Sequence, residues 1–167
     1  DFAEPTAVII KHTNPCGLAS HPDQAEAYRR AHAGDPVSAY GGIVGFNRPV
    51  TAAAAEAMRG VFYEVVVAPA FEPQALELLR KRRDLGILQA PPSPPGAGRP
   101  LDLRRVAGGA LVQTADALEE DPSTWRCVTQ RRPTEAELVD LAFAWRAVKH
   151  VKSNAITLVR GQALVSM

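Results

Sequence analysis

The sequence predicts an α/β fold, in which a mostly parallel sheet with some antiparallel pairing is covered by helices. Short apolar runs rich in β-branched residues alternate with stretches of helical periodicity, which is typical of layered α/β proteins. The length of 167 residues fits one domain, and a hydrophobic content of 46% is enough to form a core. We find no internal repeat in these residues.

The first half of the chain is predicted to hold four strands and three helices. The strands are short apolar runs closed by turn residues, and they cover residues 7–10, 42–46, 65–68 and 86–89. The helices begin at a proline, a threonine cap or an acidic residue, and they cover residues 22–32, 51–59 and 72–83. Asn14-Pro15-Cys16-Gly17 is predicted to break the chain after the first strand.

The second half begins with a proline-rich segment, residues 90–100, that predicts an exposed loop. Two short strands, 103–106 and 110–113, flank Gly108-Gly109 as a hairpin or a bulged turn. Thr134 followed by Glu137 predicts a capping box and a long helix. One apolar face of that helix is predicted to be buried, and it carries Leu138, Leu141, Ala142, Trp145 and Val148. Residues 155–159 predict the last strand, with 163–166 as its hairpin partner.

The charge balance excludes several classes of partner. Nineteen basic and eighteen acidic residues give a net charge of +1, so the chain has no electrostatic basis for nonspecific binding to nucleic acid or to a membrane surface. No apolar run approaches the roughly 18 residues of a spanning helix, and the first residues do not resemble a signal peptide. Cys16 and Cys127 stand far apart, which argues against a disulfide scaffold. We therefore predict a cytoplasmic globular protein.

Lys11 and His12 follow the first predicted strand. Neighbouring residues of a regular strand point to opposite faces, so the two can serve one site only if the strand ends there. The following Asn14-Pro15 makes such an ending plausible. A histidine can accept and return a proton near neutral pH. The same pair also fits a surface lysine beside a packed histidine.

Three further positions lie at the ends of predicted elements. Tyr40, Gly41 and Gly42 precede the second strand, where glycines allow a ligand to approach the backbone and the tyrosine can stack on it. Glu64 precedes the third strand and Asn154 precedes the last one. Taken one at a time, these residues are explained first by a tight turn, a surface carboxylate and a helix-ending or turn asparagine.

Three motifs of nucleotide-related proteins are missing from the sequence. The chain has neither the P-loop pattern nor G-x-G-x-x-G. A zinc deaminase needs H-x-E and P-C-x-x-C, whereas His12-Thr13-Asn14 lacks the glutamate and Ala19 stands at the second cysteine position. We therefore expect no metal site.

Taken together, five segments resemble one family in the order in which they occur. The family comprises the bifunctional purine-biosynthesis enzymes that join 5-aminoimidazole-4-carboxamide ribonucleotide formyltransferase to inosine monophosphate (IMP) cyclohydrolase. The segments are K-H-T-N-P-C-G (11–17), D-P-V-S-A-Y-G-G-I-V (35–44), E-V-V-V-A-P (64–69), L-D-L-R-R-V-A-G-G-A-L-V-Q (101–113) and V-K-S-N-A-I (151–156). The resemblance is to the transformylase part and spans nearly the whole chain.

The resemblance implies formyl transfer from the co-substrate 10-formyltetrahydrofolate to the 5-amino group of the ribonucleotide, without a metal. It implies a cytidine-deaminase-like α/β/α sandwich with a mixed sheet, of which residues 1–167 form the first of two copies. Family positions assign proton transfer to Lys11 and His12, and orientation of the formyl group to Asn154. They assign nucleotide contacts to the remaining matched residues, which are Tyr40, Gly41, Gly42 and Glu64.

Several segments of the family pattern are not found in this sequence. The cyclohydrolase domain, the R-Y-G-E-N-P-H-Q stretch, the F-F-P-F-R-D motif and the second copy of the fold are absent. Tyr40 stands where many members have phenylalanine. Family sites lie at a homodimer interface, so the resemblance implies a fragment that carries proton-transfer residues and is inactive alone. The alternative is a non-catalytic module that binds the nucleotide or serves as a scaffold.

Overall fold

A five-stranded sheet forms the centre of the computed structural model, which describes residues 2–91, 101–116 and 120–167. Its strands are β1 (Thr6–Lys11), β2 (Asn14–Ser20), β3 (Gly42–Phe46), β4 (Tyr63–Ala68) and β5 (Gly86–Gln89). The spatial order is β2-β1-β3-β4-β5. β1 pairs antiparallel with β2 and β3, whereas β3, β4 and β5 are parallel. The predicted mixed sheet is confirmed, but parallel pairs do not predominate.

Helices cover both faces of this sheet, which gives three α/β/α layers. They are α1 (Gln24–Gly34), α2 (Pro36–Ala39), α3 (Ala52–Ala57), α4 (Pro73–Arg80) and α5 (Glu135–Val148). α1, α3 and α4 pack together on one face over the main core, and α5 lies on the other face, where it packs with β2. None of the helices in the described ranges is long and apolar enough to cross a membrane.

The main core lies between the sheet and α1, α3 and α4. Ile9, Val44 and Val66 point from three adjacent strands to this face and are fully buried. Burying each such side chain stabilises the fold by about 1.5–3 kcal/mol. Tyr28 and Tyr63 close the core, with their hydroxyl oxygens 2.8 Å apart in a hydrogen bond. Because a buried hydroxyl needs a partner, this pair satisfies both groups at once.

Residues 14–17 form the start of β2, so the predicted chain break at this position is wrong. The turn comes earlier, at His12 and Thr13, and Lys11 pairs with Asn14 across it. β2 is an edge strand, where Pro15 removes no hydrogen bond from the sheet interior. An edge position therefore explains why the proline did not end the strand.

The apolar face predicted for α5 is not the buried one. Phe143 and Ala147 are the buried residues of this helix, whereas Leu138, Leu141 and Trp145 are 40%, 48% and 52% exposed. The helix is rotated because the Asp140 carboxylate accepts hydrogen bonds from the backbone N–H groups of residues 161 and 162, at 2.8 and 2.7 Å. This contact ties Asp140 to the turn after β8, and Phe143 and Ala147 are the residues of α5 that are buried.

Two small hairpins complete the described part of the chain. β6 (Leu101–Val106) and β7 (Gly109–Thr114) form the predicted hairpin around Gly108. β8 (Leu158–Val159) pairs with β9 (Leu164–Ser166), so the last hairpin is present with a first strand shorter than predicted. A 3₁₀ turn covers Pro122–Thr124. Residues 92–100 of the predicted proline-rich loop lie outside the described residues.

The capping box of α5 is present as predicted, and it controls one carboxyl group. Hydrogen bonds from the Arg131 guanidinium and the Thr134 N–H hold the pKa of Glu137 at about 2. An unfolded glutamate titrates near 4.3. The stabilisation is therefore fully present above the unfolded pKa and lost as pH falls through about 2.

We expect the carboxyl carbon shift of Glu137, followed by NMR, to titrate with a midpoint at about 2. Arg131→Ala removes the stronger hydrogen-bond donors and raises that midpoint toward the ordinary value. Arg126→Ala is the control, because the ion pair of Glu137 is with Arg131, and we expect the midpoint to stay unchanged. A wild-type midpoint near 4 would contradict the observed geometry.

Candidate functional site

Three of the predicted motifs meet at one edge of the sheet. β1 ends there at Lys11, whereas β3 and β4 begin there at Gly42 and Tyr63. Ile10 lies opposite Ile43, and Gly42 lies opposite Tyr63, so the three strand ends are neighbours. Of these three motifs, only the one with Lys11 and His12 lies at the carboxyl end of its strand. The other motifs join it from amino ends because β1 runs antiparallel to β3.

The turn after β1 presents His12 at the tip of a hairpin. His12 and Thr13 have φ angles of 51° and 68°, in the left-handed region that two-residue hairpin turns require. β1 ends at Lys11, so His12 is released from the strict alternation of strand side chains. Lys11 and His12 can serve one site only if the strand ends there, and β1 does end there. His12 is exposed to solvent.

Lys11 is fixed against the segment that carries Tyr40 and Gly41. Its Nζ donates a hydrogen bond of 2.7 Å to the carbonyl oxygen of Tyr40. A Cβ on Gly41 would lie 2.9 Å from the same Nζ, and Gly41 has a φ of +68°. Both facts favour glycine, because a side chain there would strain the backbone and displace the lysine. The pair is thus one unit of the site.

An aromatic wall stands beside this unit. The ring centroids of Tyr40 and Phe62 lie 5.4 Å apart with a tilt of 44° between the planes. The N–H of Gly41 donates to the carbonyl oxygen of Phe62 at 2.8 Å, which joins the start of β3 to the start of β4. Tyr40 is 64% exposed, so its ring face is open to a ligand. We call Tyr40, Gly41 and Phe62 the aromatic wall.

Asn14 connects the hairpin to the distant segment that contains Asn154. Its Oδ1 accepts a hydrogen bond of 3.1 Å from the backbone N–H of Lys152. Two residues of chain span at most about 7 Å, so Asn154 lies close to the hairpin. Its own Oδ1 accepts a hydrogen bond of 3.0 Å from the hydroxyl of Ser153. A groove of about 480 Å³ also places Thr13 and His150 on one surface here.

Glu64 is the least connected of the predicted site residues. It lies in β4, directly after Tyr63, and its side chain is exposed. In the described parts of the chain, no hydrogen bond or ion pair joins its carboxylate to Lys11, His12 or Asn154. It shares the sheet edge with them through its place in the strand order. Its role toward a nucleotide stays a prediction.

Two contributors to this site escaped sequence reasoning. Asn14 was interpreted as part of a chain break, although its carboxamide holds the segment that carries Asn154. Phe62 gave no signal because a single aromatic residue before a strand is common in cores. The structure brings Phe62 beside Tyr40 because β3 and β4 are parallel neighbours that begin at the same edge.

The cysteines and acidic residues do not assemble a metal site in the described residues. No group of three or more His, Cys, Asp or Glu side chains lies close enough to hold an ion within residues 2–91, 101–116 and 120–167. Cys16 is buried with its thiol donating to the Ile9 carbonyl at 3.4 Å, and burial raises its pKa. Cys127 is exposed and follows the 3₁₀ turn, far from Cys16 in the sequence.

Comparison with known proteins decides the family. The family model described as AICARFT/IMPCHase bienzyme matches residues 1–167, the complete chain. The chain belongs to this family. The resemblance seen in the five segments is therefore confirmed.

Curated relatives carry the name bifunctional purine biosynthesis protein PurH. Those of Synechocystis and Thermoanaerobacter are each 46% identical to this chain over 167 residues, and that of Dictyostelium discoideum is 46% identical over 177 aligned residues. In each case the match covers 100% of this chain and 32% of the relative. The chain thus spans about a third of the length of the AICARFT/IMPCHase proteins that it matches.

Proposed function

We propose that this chain carries the proton-transfer residues of a formyltransferase in purine biosynthesis. The reaction would move a formyl group from 10-formyltetrahydrofolate to the 5-amino group of 5-aminoimidazole-4-carboxamide ribonucleotide. The observation that carries the proposal is the hydrogen bond between Asn14 Oδ1 and the Lys152 N–H. It joins the Lys11-His12 hairpin to the segment of Asn154, which are distant in sequence and would be needed together.

The chemistry assigns a separate task to each group. The 5-amino group is a poor nucleophile because its lone pair is conjugated with the imidazole ring and the carboxamide. As its nitrogen bonds to the formyl carbon it must lose a proton, and His12 accepts it. The bond from the formyl carbon to the folate nitrogen then breaks, and that nitrogen takes a proton from Lys11 or through water.

The remaining residues would hold the two substrates in position. The Asn154 carboxamide orients the formyl oxygen, and the aromatic wall gives the ribonucleotide base a ring to stack on. The backbone at Gly41 and Gly42 has no side chain to obstruct a close approach. Glu64 accepts hydrogen bonds from the nucleotide.

We also propose that the chain needs a second structural half, as the first of two deaminase-like copies, and that the complete protein is a homodimer. His12, Tyr40, Glu64 and Asn154 are all exposed, so the site is open to water. Charge that develops during acyl transfer is stabilised best where water is excluded. The same openness favours one alternative, a module that binds the nucleotide without turnover.

Formyl transfer to the ribonucleotide tests these proposals. The 167-residue chain is compared with the complete product of its gene, with 10-formyltetrahydrofolate as donor and calorimetry of ribonucleotide binding in parallel. We expect turnover in the complete product only. Turnover in the chain alone would contradict the need for a second half. Ribonucleotide binding without turnover in either protein would favour the binding module, and neither binding nor turnover would refute both.

A further inference from the structure

Arg82 lies outside the candidate site, but its guanidinium organises the segment that leads into it. It follows α4 and donates hydrogen bonds to the carbonyl oxygens of Met58, at 3.3 Å, and Val61. These carbonyls lie in the turn after α3, so no N–H group of that helix donates to them. A planar guanidinium with several N–H donors can serve two carbonyls at once, which a lysine ammonium does less well.

A third contact anchors the same side chain to the core. The Arg82 Cζ lies 5.8 Å from the centroid of the Tyr63 ring, in a cation–π arrangement. The Tyr63 hydroxyl is in turn hydrogen-bonded to Tyr28 within the core. Arg82 is partly buried, so it is held on one side by the core and on the other by the turn. Arg82 therefore ties the turn between α3 and β4 to the core, in addition to the backbone hydrogen bonds of that turn.

The turn that Arg82 holds leads directly to Phe62, which is part of the aromatic wall. Phe62 lies between Val61, whose carbonyl Arg82 binds, and Tyr63, whose ring Arg82 covers. The Phe62 carbonyl accepts from Gly41, and its ring packs on Tyr40. Tyr40 in turn accepts the hydrogen bond from Lys11. An unbroken series of contacts thus leads from Arg82 to the proposed proton-transfer residues.

We propose that Arg82 is a positioning residue for the ribonucleotide, acting through Phe62 on the aromatic wall. The inference rests on the proposed function, because it assumes that the wall receives the nucleotide. The neighbouring cations lack these contacts. Arg83 is exposed, and Arg59 is paired with Glu56 at 3.0 Å on the surface.

The test uses Arg82→Ala, Arg82→Lys and the matched control Arg83→Ala in the complete gene product. Kinetics of formyl transfer are measured with calorimetric Kd values for the ribonucleotide. We expect Arg82→Ala to raise both the ribonucleotide KM and its Kd about tenfold, less than the 10²-fold that a 1 Å misplacement can cost. The kcat changes little, because the residue touches no reacting atom. Arg82→Lys recovers part of the loss, and Arg83→Ala matches the wild type.

A merely structural role gives a different pattern. Fewer folded molecules would lower the maximal rate and the melting temperature while KM and Kd stay unchanged, and that result would overturn the proposal. Phe62→Leu combined with Arg82→Ala supplies a second criterion. If Arg82 acts through Phe62, the double variant is no worse than the poorer single one, whereas additive losses would refute the connection.

The two proposals fail in distinguishable ways. A wild-type enzyme that transfers formyl groups, with unchanged KM and Kd in Arg82→Ala, refutes the positioning role alone. A wild type that binds the ribonucleotide without transfer removes the formyltransferase function, and the Kd values still decide the role of Arg82. A wild type that neither binds nor reacts overturns both.

Discussion

His12→Asn in the complete gene product is expected to lower kcat for formyl transfer by about 10²–10⁴-fold, the usual contribution of a positioned general base. Asparagine is the replacement of choice because the turn holds residue 12 at a φ of 51°, which asparagine tolerates well and alanine does not. The variant therefore removes the imidazole while the hairpin keeps its shape. Steady-state kinetics with both substrates saturating provide the measurement.

The adjacent turn residue supplies a matched control. Thr13 has a φ of 68° in the same turn, where a β-branched residue is unfavourable. Thr13→Asn is expected to retain kcat and to leave the melting temperature unchanged or slightly higher. If His12→Asn keeps wild-type turnover, His12 is not the base. If Thr13→Asn loses as much as His12→Asn, the effect belongs to the turn rather than to the imidazole.

Much of the fold is predictable because its signals are local. β3 and β5 match the predicted apolar runs, and β1 and β4 extend them by a few residues. Thr51 and Thr134 cap their helices as predicted, through side-chain oxygens that accept backbone N–H groups of the next turn. Such features depend on neighbours within about four residues, so no knowledge of packing is needed.

The failures come from tertiary contacts. β2 was missed because an edge strand tolerates Pro15 and because the turn at His12 and Thr13 has no glycine to announce it. The buried face of α5 was misassigned because Asp140 faces the turn at Gly161. The spacing of apolar residues within the helix cannot predict a contact with a residue outside it. In both cases a long-range arrangement overrides a correct local rule.

The candidate site shows the same division. The motifs select Lys11, His12 and Asn154 as candidates, but they do not show how the segments that carry these residues come together. Their assembly depends on β1 running antiparallel to β3 and on the hydrogen bond from Lys152 to Asn14. Strand direction and a contact between the two ends of the chain are properties of the folded molecule. Arg82 and Phe62 are invisible to motif analysis for the same reason.

Gly17→Ala is expected to destabilise the protein more than any surface change, by about 3 kcal/mol or more. A Cβ at this position in β2 would lie 2.1 Å from the carbonyl oxygen of Ala31 and 2.8 Å from its carbonyl carbon. Both atoms belong to the backbone of α1, so relief requires the whole helix to move away from the sheet. The helix cannot do so without opening the core around Tyr28.

Gly109→Ala is the matched control, since a Cβ there meets nothing within 4 Å and the backbone is not in the left-handed region. Thermal melts followed by circular dichroism should show a loss of about 10 °C for Gly17→Ala and almost none for Gly109→Ala. Equal melting temperatures would mean that α1 does not approach β2 as closely as described. Because β2 begins at Asn14, the strain also reaches the hydrogen bond that holds the segment of Asn154. In the complete gene product, formyl transfer by Gly17→Ala should therefore fall even at temperatures where the variant remains folded.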